Sequence, residues 1–183
     1  MNGPALTPIQ NSAASQIAAT IQSGANDTFT LHGLAGTGKT TVLASIAREH
    51  PEALLCTLTG KAASVLTRKT GAPAQTIHSA FYQLIGKSHD ERGRKVLHWK
   101  ESQRANALRR RAILLDECSM VNDAMADDIL RTGATVIACG DPGQLPPVVG
   151  KQFFDRPDFT LTEIHRQAQE SPIIRQAPAA RRR

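Results

Sequence analysis

Short apolar runs alternate with stretches of helical spacing along most of this chain, the pattern of a parallel α/β sheet with crossover helices. The spacing predicts a helix over residues 8–23, with Thr7 as its cap, Pro8 in its first turn and Gly24 as its stop. A strand over 28–32 runs directly into a glycine-rich turn, and a helix over 39–49 follows, ended by Pro51. A strand over 54–58 and a helix over 61–69 come next, with Gly71 beyond, and 76–85 reads as a turn plus a short helix. After an interruption, a buried strand over 112–115 ends at Asp116, 123–131 is helical, and a strand over 135–138 follows Gly133. Residues 140–150, with three prolines and three glycines, form a shaped loop, and one more strand covers 159–161 and feeds 162–166. There is no internal repeat and no linker long enough to divide the chain.

The interruption is residues 86–111, which lack clear periodicity and read as an insertion, hairpin or mobile loop on the sheet. Nine Lys/Arg stand there against three carboxylates, a local excess of +6 equal to that of the whole chain. A basic patch concentrates polyanions, nucleic acid above all, although a solvated surface excursion has the same composition. Elsewhere the composition is that of a globular domain: 183 residues, 40% hydrophobic and 21% charged. No apolar stretch is long enough for a membrane helix, and Met1–Pro4 does not open a secretion signal. Cys56, Cys118 and Cys139 are odd in number, lack CxxC spacing and lie in or beside apolar runs. They read as reduced core thiols, which points to the cytoplasm.

Gly33-Leu34-Ala35-Gly36-Thr37-Gly38-Lys39-Thr40 fits GxxxxGK[ST] at every fixed position, between a strand and a helix. Glycines there let main-chain N–H groups turn inward around phosphate oxygens, and the following helix aims its positive end at the same anion. Lys39 supplies charge to the β- and γ-phosphates of ATP, and the Thr40 hydroxyl is a Mg²⁺ ligand. The strand over 112–115 delivers Asp116 as a second metal-holding group and Glu117 as general base for the attacking water. An acidic pair at a strand end can also be a plain turn with a helix cap. Nucleotide binding and hydrolysis follow from the two motifs together. What the hydrolysis drives does not, because small-molecule kinases, GTPases and motor ATPases share them.

Three longer strings narrow the class: LHGLAGTGKTT from Leu31, LLDECSM from Leu114 and CGDPGQLPPV from Cys139. In this order they resemble motifs I, II and III of superfamily 1 DNA helicases of the RecD-like branch. Thr59-Gly60-Lys61-Ala62-Ala63 resembles motif Ia, Thr76-Ile77-His78-Ser79 the TIHS element after it, Leu161–Gln167 motif IV, and Leu6–Gln10 the adenine-reading Q motif. Leu58 stands where motif Ia usually has a proline, and Cys118 where a small residue is usual.

The resemblance implies a RecA-like P-loop NTPase fold, a three-layer sandwich on a mainly parallel sheet, as a single motor domain over 1–175. It also implies roles for single residues. Gly33, Ala35, Gly36, Thr37, Gly38, Lys39, Thr40 and Thr41 would hold ATP, with Gln10 on its adenine edge, and Thr40 and Asp116 would hold Mg²⁺. Lys39, Glu117, Gln144 as γ-phosphate sensor and Arg166 as arginine finger would carry hydrolysis. Thr59, Gly60, Lys61, Thr76, His78 and Pro146 would contact single-stranded DNA, through its backbone rather than its bases. The family's working unit has two RecA-like domains, and motifs V and VI have no counterpart here. The expectation is a chain that lacks the second motor domain, or receives it from a partner subunit, with 176–183 an Arg-rich disordered tail. The alternative reading is a nucleotide-dependent DNA- or protein-binding module that does not turn over; a small-molecule phosphotransferase would need an acceptor pocket and no Gln144 loop.

Overall fold

A computed structural model describes residues 5–24, 27–101, 112–147 and 150–164. Six strands form one sheet: β1 (Thr28–Gly33), β2 (Leu54–Thr57), β3 (Ala74–Thr76), β6 (Ala112–Leu115), β7 (Thr135–Gly140) and β8 (Phe159–Leu161). Their order is β3-β2-β6-β7-β1-β8, and every pairing is parallel. Helices α1 (Pro8–Ser23), α2 (Lys39–Glu49), α3 (Gly60–Thr70), α4 (Ile77–Phe81) and α5 (Asp123–Leu130) complete the layers.

The strands are unbroken apolar runs because both faces of the sheet are covered. Side chains alternate along each strand, so Leu55, Leu114 and Ile137 point into a core with Ile17, Leu43 and Ile46. Their neighbours Cys56, Leu115 and Ala138 point into a second core with Ile77, Phe81 and Ile129. The three-layer parallel sandwich is therefore observed as expected. Thr7 caps α1 in a capping box with Gln10, and Gly24 ends the helix in the left-handed conformation at φ 63°.

Two expectations change. The short helix does not reach residue 85: α4 ends at Phe81, and Tyr82 already begins strand β4 (Tyr82–His89). β4 pairs antiparallel with β5 (Lys95–Glu101) in a separate two-stranded sheet, so the basic insertion is a hairpin that starts four residues earlier than the charge pattern suggested. The physical reason is burial: Phe81 is in the core, whereas Gln83, Leu84 and Ile85 are exposed and give a helix no face to bury. The carboxylate of Asp90 shapes the hairpin turn, accepting from the Arg92 and Arg94 amides at 3.0 and 2.8 Å and from Arg94 Nε at 2.8 Å. Residues 102–111 and 176–183 lie outside the described residues. The second change is β3, an edge strand of three residues that pairs with Leu55–Thr57; the expected turn began only at Thr76, and no element was expected over residues 74 and 75.

No helix among the described residues is long and apolar enough to cross a membrane. Cys56, Cys118 and Cys139 are all buried free thiols, as expected.

Candidate active site

Parallel strands point their carboxyl ends the same way, so the loops after β1, β2, β3, β6 and β7 gather at one edge of the sheet. Each candidate functional residue on those loops owes its place to this edge.

The glycine-rich turn follows β1. Gly36 and Gly38 take φ values of 87° and 88°, which an L side chain rarely adopts. Gly33 has a different reason: a Cβ there would stand 2.5 Å from Thr37 Oγ1 and 3.1 Å from the Leu161 carbonyl. It is glycine because β8 and the turn close on it. Thr37 Oγ1 donates to the Leu34 carbonyl at 2.9 Å, and α2 starts at once, with the Thr41 amide donating to Gly38 O. Lys39 Nζ donates to the Gly33 and Leu34 carbonyls at 2.5 and 3.1 Å, so its ammonium lies across the mouth of the turn.

Asp116 arrives at the end of β6, where its amide donates to the Cys56 carbonyl of β2 at 2.9 Å. Thr40 Oγ1 donates to Asp116 Oδ2 at 3.4 Å. A hydroxyl and a carboxylate, both hard oxygen donors, thus meet beside the turn, and this donor set fits Mg²⁺. Burial pushes the Asp116 carboxyl above its ordinary range, against the pull of the Glu117 amide and of Lys39 and Lys69. Burial and the negative charge of Asp116 raise Glu117 too. Two carboxylates that resist charging side by side are poised for a cation. Glu117 sits at φ 60°, alone among the described non-glycine residues in the left-handed region.

Gln144 completes the ring from the loop after β7. Its Oε1 accepts from the buried Ser119 hydroxyl at 2.7 Å, and its amide donates to Asp141 O at 3.0 Å. The Asp141 carboxylate accepts from the Gly143 amide at 2.8 Å and so holds the loop's shape. A cleft of about 350 Å³ is lined by the glycine-rich turn, Lys39, Thr40, Thr41, Asp116, Glu117, Asp141 and Gln144. Ser119 and Asp141 lie inside the strings that carry the family likeness, yet sequence reasoning passed over them. Lys69 also lines the cleft, and nothing in its local sequence points there.

Gln10 is buried, 2% exposed, with Nε2 donating to the Thr37 carbonyl and Oε1 accepting from the Thr7 amide, both at 3.1 Å. Its observed contacts bind α1 to the glycine-rich turn. Of the residues expected on DNA, Thr59 and Thr76 cap α3 and α4, accepting from the Ala62 and Ser79 amides at 3.2 and 3.1 Å. Gly60, Lys61 and Thr76 line one groove of about 750 Å³ beside β3. The His78 ring lies 5.4 Å from that of Tyr82, and burial lowers its pKa, which favours the neutral imidazole. Pro146 is exposed in the Gln144 loop. Arg166 lies outside the described residues.

A model of an AAA domain family matches residues 5–182. The chain belongs to this family. Within it, the chain aligns over 160 residues at 34% identity with the ATP-dependent RecD2 DNA helicase of Deinococcus radiodurans, covering 80% of this chain and 21% of that protein. Bacteroides Pif1 helicase, solved in complex with ADP-AlF3 and ssDNA, superposes with TM-score 0.60 at 27% identity, covering 92% of this chain and 44% of that one. A Pif1 helicase structure addressing DNA unwinding at forked dsDNA gives TM-score 0.63 at 25% identity, over 89% of this chain and 45% of that one. The likeness to RecD-like superfamily 1 motor domains therefore rests on motifs, fold and relatives together. The chain spans about a fifth of the RecD2 relative and under half of these Pif1 chains.

Proposed function

We propose that this AAA-family chain is the ATP-hydrolysing motor domain of a RecD-like DNA helicase and couples ATP to movement along single-stranded DNA in repair or recombination. The observation that carries the reading is the ring of Lys39, Thr40, Asp116, Glu117 and Gln144 around one cleft, on the sheet edge that also bears Thr59, Gly60, Lys61 and Thr76. Lys39 moves from its carbonyl contacts onto the β- and γ-phosphates. Thr40 and Asp116 would hold Mg²⁺, which would offset the charge of the phosphates. Glu117 takes the proton of the water that attacks the γ-phosphorus, and the bond to the β–γ bridging oxygen breaks to release ADP and phosphate. The Ser119–Gln144 hydrogen bond sets where the Gln144 amide meets the γ-phosphate. Gln10 shapes the turn from behind and borders the adenine, and Arg166 adds charge at the γ-phosphate.

On the DNA side, Thr59, Gly60, Lys61, Thr76, His78 and Pro146 meet the sugar–phosphate backbone, which carries no sequence information. Stepping needs a second motor domain that grips DNA in alternation with this one, in the same polypeptide or from another subunit. The reduced thiols suit a cytoplasmic protein. The test is phosphate release from ATP by the purified 183-residue chain with and without single-stranded DNA. DNA-stimulated release supports a motor, whereas binding with no stimulated turnover identifies a non-motor binding module. ATP-dependent strand displacement by this chain alone would refute the need for a second domain.

A further inference from the structure

Between Glu52 and Asp90 the chain carries Lys61, Arg68, Lys69 and Lys87 and no carboxylate. Helix α3 lies in this stretch and carries Val65, Leu66 and Lys69. These residues line a second cavity of about 280 Å³, together with Thr40, Thr59, Lys61, Asp116 and Glu117. The second cavity and the nucleotide cleft share four residues: Thr40, Asp116, Glu117 and Lys69. Three of these form the metal and water-activating group described above. The fourth has no part in it.

We propose that Lys69 is a second phosphate-binding lysine, reaching the γ-phosphate of ATP from α3, on the side of the carboxylates that Lys39 does not occupy. Lys69 lines both cavities beside Asp116 and Glu117, whereas Lys39 lines only the nucleotide cleft. Among the described residues no carboxylate forms an ion pair with Lys69, and its side chain is exposed, so its ammonium can swing toward an anion in the cleft. Asp116 and Glu117 mark the end of the cleft where the terminal phosphate sits, so Lys69 meets the γ-phosphate rather than the α-phosphate. Because Gly60, Lys61 and Arg68 of α3 line the groove beside β3, one rigid helix then carries both the groove-lining residues and Lys69. The bland role, a cation in the last turn of a helix offsetting its dipole, predicts a small effect on stability and none on nucleotide affinity.

The inference rests on the ATP-binding reading, and the test separates the two. Affinities for fluorescent ATP and ADP analogues are measured with Mg²⁺ at low salt for the parent chain, Lys69→Met, Lys69→Arg and Lys39→Ala, with urea unfolding alongside. An exposed charge facing a phosphate is worth about five-fold in affinity. Lys69→Met therefore weakens ATP by roughly that factor and ADP by less than about two-fold, Lys69→Arg restores ATP binding, and the unfolding midpoints agree. If Lys39→Ala loses affinity while Lys69→Met keeps it, or if Lys69→Met loses ATP and ADP equally, the role of Lys69 is overturned and the cleft reading stands. A parent that binds no nucleotide, or a Lys39→Ala chain as tight as the parent, removes both.

Discussion

Glu117 combines a catalytic assignment with a costly backbone, and the cost is measurable. At φ 60° and ψ 42° its Cβ crowds the following carbonyl, a penalty of about 1–2 kcal/mol that glycine escapes. Glycine in turn loses roughly 0.5–1 kcal/mol more than alanine in chain entropy on folding. The centres of the two ranges differ by about 0.75 kcal/mol in favour of glycine at this position. Glu117→Gly and Glu117→Ala both delete the carboxylate, so both lose its repulsion with Asp116 equally, and comparing them isolates the backbone. With a urea m-value near 2 kcal/mol/M, the glycine variant should unfold at a midpoint roughly 0.3–0.5 M higher. In an ordinary helix interior the order is reversed. Both variants should lose hydrolysis by at least about a hundred-fold, the lower bound for a general base. An alanine variant as stable as the glycine variant would contradict a strained left-handed backbone at residue 117.

Three further outcomes follow from the packing and the titrating groups. A Cβ on Gly140 would meet Cys118 Sγ at 2.9 Å and His32 Nε2 at 3.3 Å, so Gly140→Ala should cost about 1–3 kcal/mol; adding Cys118→Ala should return part of that loss, and strict additivity in a double-mutant cycle would contradict the contact. Burial pushes the Cys118 thiol up to about 12 and Cys139 well above its usual value, so at pH 8 both should react with a disulfide reagent only after unfolding, and fast labelling of the native chain would contradict their burial. The depressed pKa of His78 means that the unfolded chain binds more protons as pH falls through the ordinary histidine value near 6.5. Stability should therefore drop below that pH, and His78→Gln should flatten this part of a urea–pH series.

Much of this was legible in the residues because a parallel sheet covered on both faces leaves an unmistakable trace. Ala112–Leu115 and Thr135–Gly140 are buried at every position, so their apolar runs marked strands without any need for alternation. The glycine-rich turn and Asp116–Glu117 were legible because phosphate and metal chemistry tolerate few residue types at those positions. The hairpin was harder: β4 is exposed along nearly its whole length, so no buried face imposes a period of two, and only its charge stood out. Lys69 could not be found by any local rule, since its place depends on how α3 packs against α2. The hydrogen bonds of Gln10 to the Thr7 amide and the Thr37 carbonyl were not legible either, since they depend on where α1 meets the glycine-rich turn.

The central claim is that a nucleoside triphosphate binds in the turn between β1 and α2, with Lys39 as its main cation. Titrating a fluorescent ATP analogue into the parent chain and into Lys39→Ala tests it most directly. Loss of a charge-assisted contact of about 1.5–3 kcal/mol predicts affinity lower by roughly ten- to a hundred-fold. Equal affinity in the two chains, both folded, would contradict the account.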